Sequence, residues 1–209
     1  MAGVLHETVN LGFQKTIILQ LYLISQGNNK KAAEFAENVH PRGRALTKLK
    51  QARHHPDGSF GLIEAQYPGL VIEVSYSQKV EDLPHLAEDY ILGSGALIQV
   101  VIGINLEYQK EKGMEAKVFM WRPEWIEEDG ATKLQASQTF EGVFRSRDGS
   151  LTNANQILPI QLKDFGDGSE GQEIADIAEG ITITFSQLYK IVETAEKKEK
   201  AARGTSSQT

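Results

Sequence analysis

Apolar positions Val9, Phe13, Ile17, Leu21 and Ile24 recur at three- and four-residue spacings, which predicts a helix over residues 6–24. Ile17, Leu19, Leu21 and Leu23 also alternate, so a strand competes over that shorter run, and Gly27-Asn28-Asn29 ends either element. A second short amphipathic helix is expected over 30–39, with Ala32, Ala33, Phe35, Ala36 and Val39 on its face and Pro41 as its stop. Residues 57–63 and 70–76 read as strands joined by Tyr67-Pro68-Gly69, whose Pro and Gly supply tight-turn dihedrals. The second strand opens with Leu70-Val71-Ile72, a run expected to be covered on both faces. Next comes a helix with Pro84 in its first turn and Leu83, Leu86, Ala87, Tyr90 and Ile91 on one face, ended by Gly93 and Gly95. The apolar run 97–106 is a central strand, and strand, helix, strand predicts a right-handed parallel crossover.

Beyond it, Lys110-Glu111-Lys112-Gly113 predicts a hairpin into a strand over 116–121, and Trp121-Arg122-Pro123-Glu124-Trp125 is expected to close the core. The apolar runs 140–144 and 157–162 are expected to extend the sheet through mobile connections. A last strand covers 181–185, and Ser186 is placed to cap a helix from Gln187 whose charged end, 196–203, frays into a disordered tail at 204–209. The predicted architecture is one α/β domain over 1–203, with a core at about 5–125 and a C-terminal extension at about 126–203.

Composition adds mainly exclusions. The 209 residues suffice for one domain with a sizeable core. The chain has no Cys, which rules out disulfides, thiolate nucleophiles and Cys-ligated metals, so any metal must be held by oxygen or imidazole. A formal charge of −6 argues against non-specific coating of nucleic acid. The apolar run 16–24 is interrupted by Gln20 and is far shorter than the roughly 20 residues that span a bilayer. It also lacks signal-peptide features, so no membrane partner is expected and the protein is read as intracellular, cytoplasmic or nuclear.

Two local features depart from this ordinary background. Arg42, Arg44, Lys48, Lys50 and Arg53 form a cationic segment with no acid between Arg42 and His55. Such a strip either keeps a sheet edge solvated or contacts phosphates immediately before Asp57. The adjacent His54 and His55 would point to opposite faces of a strand and are not assigned a metal. The second feature is Glu73 in the middle of an apolar strand, where a carboxylate needs a partner. A cation from the basic segment is one candidate. Convergence with Asp57 across the hairpin is another, and two carboxylates there would require a hard divalent cation such as Mg²⁺. There is no Walker-type phosphate loop, no Ser-His-Asp arrangement and no dinucleotide fingerprint, since Gly103-Ile104-Asn105 lies within a strand.

The order helix, strand, strand, helix, strand, with Pro56-Asp57 on one strand and an acid 16 positions later on the next, resembles the PD-(D/E)XK nuclease superfamily, the restriction-endonuclease-like fold. Pro68-Gly69-Leu70-Val71-Ile72-Glu73-Val74-Ser75-Tyr76-Ser77-Gln78 and Leu86-Ala87-Glu88-Asp89-Tyr90-Ile91 look more closely like uncharacterised fungal proteins of that fold, over roughly residues 5–125. The resemblance implies Mg²⁺ or Mn²⁺ held by Asp57, Glu73 and the Val74 carbonyl, with Glu7 assisting from the first helix. It also implies nucleic acid as partner, DNA ahead of RNA, contacted by Arg42, Arg44, Lys48, Lys50 and Arg53. The family's lysine position is occupied by Ser75, which shares Glu73's face and can orient water without supplying charge. Gln78 or Lys79 would then fold back to the scissile phosphate. The expected function is a Mg²⁺-dependent nuclease; the alternative is a catalytically silent, nuclease-like binding or scaffold protein, self-associating through its N-terminal region or C-terminal helix.

Overall fold

A computed structural model describes residues 3–50, 52–76, 81–107, 113–168 and 177–205. Helix α1 (Val4–Ser25) buries Leu5, Val9, Phe13, Ile17 and Leu21, the stripe that four-residue spacing produces. Leu19 and Leu23 are exposed, so the competing strand alternation does not operate. Helix α2 (Lys30–Asn38) starts at Asn29, whose side chain accepts from the Ala32 N–H, and buries Ala32, Phe35 and Ala36.

Six strands form one mixed sheet in the order β1 (Val39–Pro41), β4 (Gly58–Leu62), β5 (Leu70–Tyr76), β6 (Val100–Leu106), β7 (Ala116–Glu128) and β8 (Ala131–Arg145). Between β1 and β4 the chain makes a separate small ribbon, β2 (Thr47–Lys48) against β3 (Arg53–His54). β4 runs antiparallel to β5, and β5 parallel to β6 across helix α3 (Asp82–Ser94). β7 returns antiparallel to β6, and β8 antiparallel to β7. The result is a mixed α/β protein whose six-stranded sheet is flanked by helices. No helix among the described residues is long and apolar enough to cross a membrane.

Two apolar clusters cover the sheet's faces. Leu70, Ile72 and Val74 of β5, with Ile102 and Ile104 of β6, belong to the larger one, which includes α1, α2 and the C-terminal elements. Val71 and Val101 belong to the smaller one, under Leu83, Ala87, Tyr90 and Ile91 of α3. Alternation gives Glu73 and Ser75 the face of Val71, and Gly103 and Asn105 the face of Val101. The smaller core therefore gives way to polar side chains toward the C-terminal ends of the parallel strands.

Several sequence expectations are corrected. Gly93 lies inside α3 and does not end it; a Cβ there would stand 2.8 Å from the Leu49 Cβ, so the glycine admits the β2–β3 ribbon against the helix. Gly95, at φ 68°, is the residue that terminates α3. The 157–162 run does not extend the main sheet: β9 (Ile157–Gln161) pairs with β10 (Gly180–Thr184) in a sheet of its own, followed by a 3₁₀ turn at Leu162–Phe165. Trp121 is buried, but β7 runs on to Glu128 and leaves Trp125 61% exposed, so the second tryptophan is no lid. Helix α4 (Phe185–Thr205) starts two residues before the expected Gln187 and is capped by Thr184 and not by Ser186. The Thr184 hydroxyl accepts from the Gln187 N–H at 3.2 Å and the Gln187 carbonyl oxygen accepts from the Thr184 N–H at 2.8 Å, a capping box. The 196–203 segment is helical, as are Gly204 and Thr205; the rest of the expected tail, 206–209, lies outside the described residues.

Candidate functional site

Asp57 sits one residue before β4, where Gly58 is in register with Ile72, and this brings Asp57 opposite Glu73. Both carboxylates line a cleft of about 480 Å³ with His6, Val74 and Ser75, walled by Asp82, His85 and Asp89 of α3. Asp57 is buried, and each of its oxygens is engaged. Oδ2 accepts from the Val74 N–H at 2.9 Å and lies 3.0 Å from His6 Nε2; Oδ1 accepts from Arg44 at 2.9 Å. Asn10 holds the same residue's backbone, donating to the Asp57 carbonyl at 2.7 Å.

His6, which no local pattern in the sequence marks, stands beside Asp57 and Val74. Its Nε2 stands 3.0 Å from Asp57 Oδ2 and 3.0 Å from the Val74 carbonyl oxygen, so two oxygens aim at one point. The Asp57 hydrogen bond, opposed by burial, holds the imidazole's pKa above its ordinary 6.5. Its Nδ1 is buried without a hydrogen-bond partner among the described residues. Burial alone would raise the Asp57 carboxyl, but the His6 and Val74 hydrogen bonds and the charges of His6 and Arg44 outweigh it and hold the group below its ordinary value.

Among the described residues, Glu73 finds its partner in neither a lysine nor an arginine. The hydroxyl of Tyr90, a fully buried residue of α3, donates to Glu73 Oε1 at 2.7 Å. Burial pushes the Glu73 carboxyl up to about 7 in spite of that bond, and the nearby Asp57 charge adds to the rise. Burial and the same carboxylate push the Tyr90 phenol up as well. His54, whose Nε2 is 2.9 Å from Asp89, tilts over the Tyr90 ring at 5.2 Å and closes this wall.

The other expected site residues divide. Glu7 does not reach the cleft: it accepts from Arg44 at 2.5 Å on the outer side, because His6 and Asn10, four residues apart, are the α1 positions that face Asp57. Ser75 lines the cleft, as expected from strand alternation, and its Oγ has no hydrogen-bond partner among the described residues. Gln78 and Lys79 lie outside the described residues. In the basic segment, Arg42 turns inward to the Leu62 and Ala65 carbonyls, and Arg44 is committed to Asp57 and Glu7. Lys50, whose N–H donates to the Gly93 carbonyl, lies at the C-terminus of α3, a helix without a basic residue in its last turn. Lys48 and Arg53 are cross-strand partners and both exposed, as are Arg44 and Lys50, so of the five cations only Arg42 is drawn inward.

The donors near Asp57 are hard oxygens plus an imidazole, a set suited in kind to Mg²⁺ or Mn²⁺. Among the described residues, no three His, Asp or Glu side chains are grouped so as to hold an ion as they stand. The convergent pair of oxygens consists of one carboxylate and one main-chain carbonyl, bridged by His6. Fold and cleft together define the class: a mixed α/β protein with an acidic cleft where a parallel strand pair meets a hairpin. No family model, curated protein or solved structure matches the chain.

Proposed function

We propose that the protein is a divalent-metal-dependent phosphodiester hydrolase acting on nucleic acid, with the cleft around Asp57 and Glu73 as its active site. The observation that carries this reading is the aim of Asp57 Oδ2 and the Val74 carbonyl at a single point, with Glu73 opening into the same cleft. The order α1, α2, β1, β4, β5, α3, β6 in the helices and main sheet supports the restriction-endonuclease-like reading, since Asp57 at the start of β4 and Glu73 on the adjacent β5 then lie where that fold carries its acids. Asp57, Val74 and Glu73 would hold Mg²⁺ or Mn²⁺, which when bound supplies a Lewis acid and lowers the pKa of water. The chain's own groups orient and neutralise: Asn10 and Val74 fix the Asp57 main chain and carboxylate, Tyr90 fixes Glu73, and Arg44 offers a guanidinium at the cleft's rim. Lys48 and Arg53 support a nucleic-acid substrate, because two exposed cations facing each other across a ribbon repel weakly and are both open to a phosphate.

A second reading has its own observation. His6 and Arg44 already supply Asp57 with two cationic donors, and Ser75 stands where the family has lysine. A nuclease-like protein that binds without cleaving satisfies the same geometry. Incubation of the protein with single- and double-stranded DNA and RNA in Mg²⁺ or Mn²⁺ separates the two. Metal-dependent cleavage, lost by at least about 10²-fold in Asp57→Asn/Glu73→Gln, is the expected result; no cleavage of any substrate sinks the enzymatic reading.

A further inference from the structure

Ser75 and Asn105 are in direct register across the parallel pair β5–β6 and lie on the same face of the sheet. They are 4% and 1% exposed, and Ser75 Oγ and Asn105 Oδ1 have no hydrogen-bond partner among the described residues. Two such atoms side by side are costly to bury, because each lacks the bond that water gave it in the unfolded chain. Folded proteins meet this cost with an ordered water that joins the two groups. The pair adjoins the cleft: Ser75 lines it, two residues from Glu73 on the same face of β5. Lys117 of β7 is the next residue in the row, in register with Asn105 and held by Glu115 at 3.2 Å.

We propose that Ser75 Oγ and Asn105 Oδ1 together hold one water molecule at the end of the cleft and position it as the nucleophile of the phosphodiester hydrolysis. Asn105 Oδ1 can only accept, so the shared group must donate to it; the Ser75 hydroxyl can then donate to the water's oxygen. The water keeps one hydrogen and one lone pair free. This rests on the hydrolase reading of the same cleft, and it gives Ser75 and Asn105 the positioning role that a lysine would otherwise have. The reaction consumes that water: its oxygen bonds to phosphorus, the bond to the leaving oxygen breaks, and the proton released passes through solvent to the leaving oxygen.

The test has two arms. A crystal structure of the wild-type protein at a resolution that shows ordered water should have one within hydrogen-bond distance of both Ser75 Oγ and Asn105 Oδ1. A direct Ser75–Asn105 bond, or a dry notch, overturns the proposal whether or not the protein proves to be an enzyme. In steady-state cleavage, Ser75→Ala and Asn105→Leu should each lower kcat by about 10²-fold, the scale of a displaced reacting group, at unchanged KM. The double variant should be no slower than the slower single, because all three lose the same water, and Ser75→Thr should recover most of the loss. An unchanged kcat in the single variants, or multiplied effects in the double, contradicts it. A wild-type protein that cleaves nothing refutes the hydrolase reading and with it the nucleophile role, leaving the crystallographic arm to decide the water site.

Discussion

Glu73 and His6 each keep a proton more firmly in the folded chain than in the unfolded one. Glu73 titrates near 7 against its ordinary 4.5, and His6 above 6.5. The stability these two groups contribute is therefore complete below their ordinary values and is lost as pH rises through the folded ones. Asp57 behaves oppositely: its contribution is present above its ordinary 3.8 and is lost on acidification. The chain should accordingly lose stability on the alkaline side of neutrality. Glu73→Gln removes the carboxylate and leaves an acceptor for Tyr90, so urea unfolding should find the variant more stable than wild type at pH 8 and no more stable at pH 5. Equal stability of the two proteins at both pH values would contradict the burial argument. Glu73 is legible because an acid inside a β-branched run is conspicuous, and Asp57 follows as the nearest acid across the hairpin. His6 is not legible, because its contact with Asp57 spans 51 residues and no local pattern marks it.

Among the elements, period and punctuation made α2, α3 and the β4–β5 hairpin readable, while α1 left a strand competing over residues 17–23 until the exposure of Leu19 and Leu23 decided for the helix. The β9–β10 sheet was not readable, because an apolar strand has the same signature whichever sheet it joins. The cap of α4 turned on a choice between Thr184 and Ser186, and only Thr184 has a Gln three residues on to complete the box. Thr184→Ala should cost about 1 kcal/mol in chemical denaturation, and Ser186→Ala should cost much less. The β2–β3 ribbon has a binding consequence of its own. Lys48→Ala/Arg53→Ala should weaken nucleic-acid binding at low salt and reduce the slope of log affinity against log salt by about 2. An unchanged slope would return these cations to the solvated-edge role.

At the scale of the whole molecule, the sheet carries two cores of unequal size, and the smaller one ends where Glu73, Ser75 and Asn105 begin. The cleft exists because α3 covers only part of that face and the hairpin brings Asp57 to the uncovered part. The proposed function stands on the oxygens that meet at His6 acting as a divalent-cation site. Calorimetric titration of Mn²⁺ into the protein tests it most directly. A divalent-cation site there gives saturable binding of one ion per chain, abolished in Asp57→Asn/Glu73→Gln; no heat of binding, or binding unchanged in that variant, would contradict it.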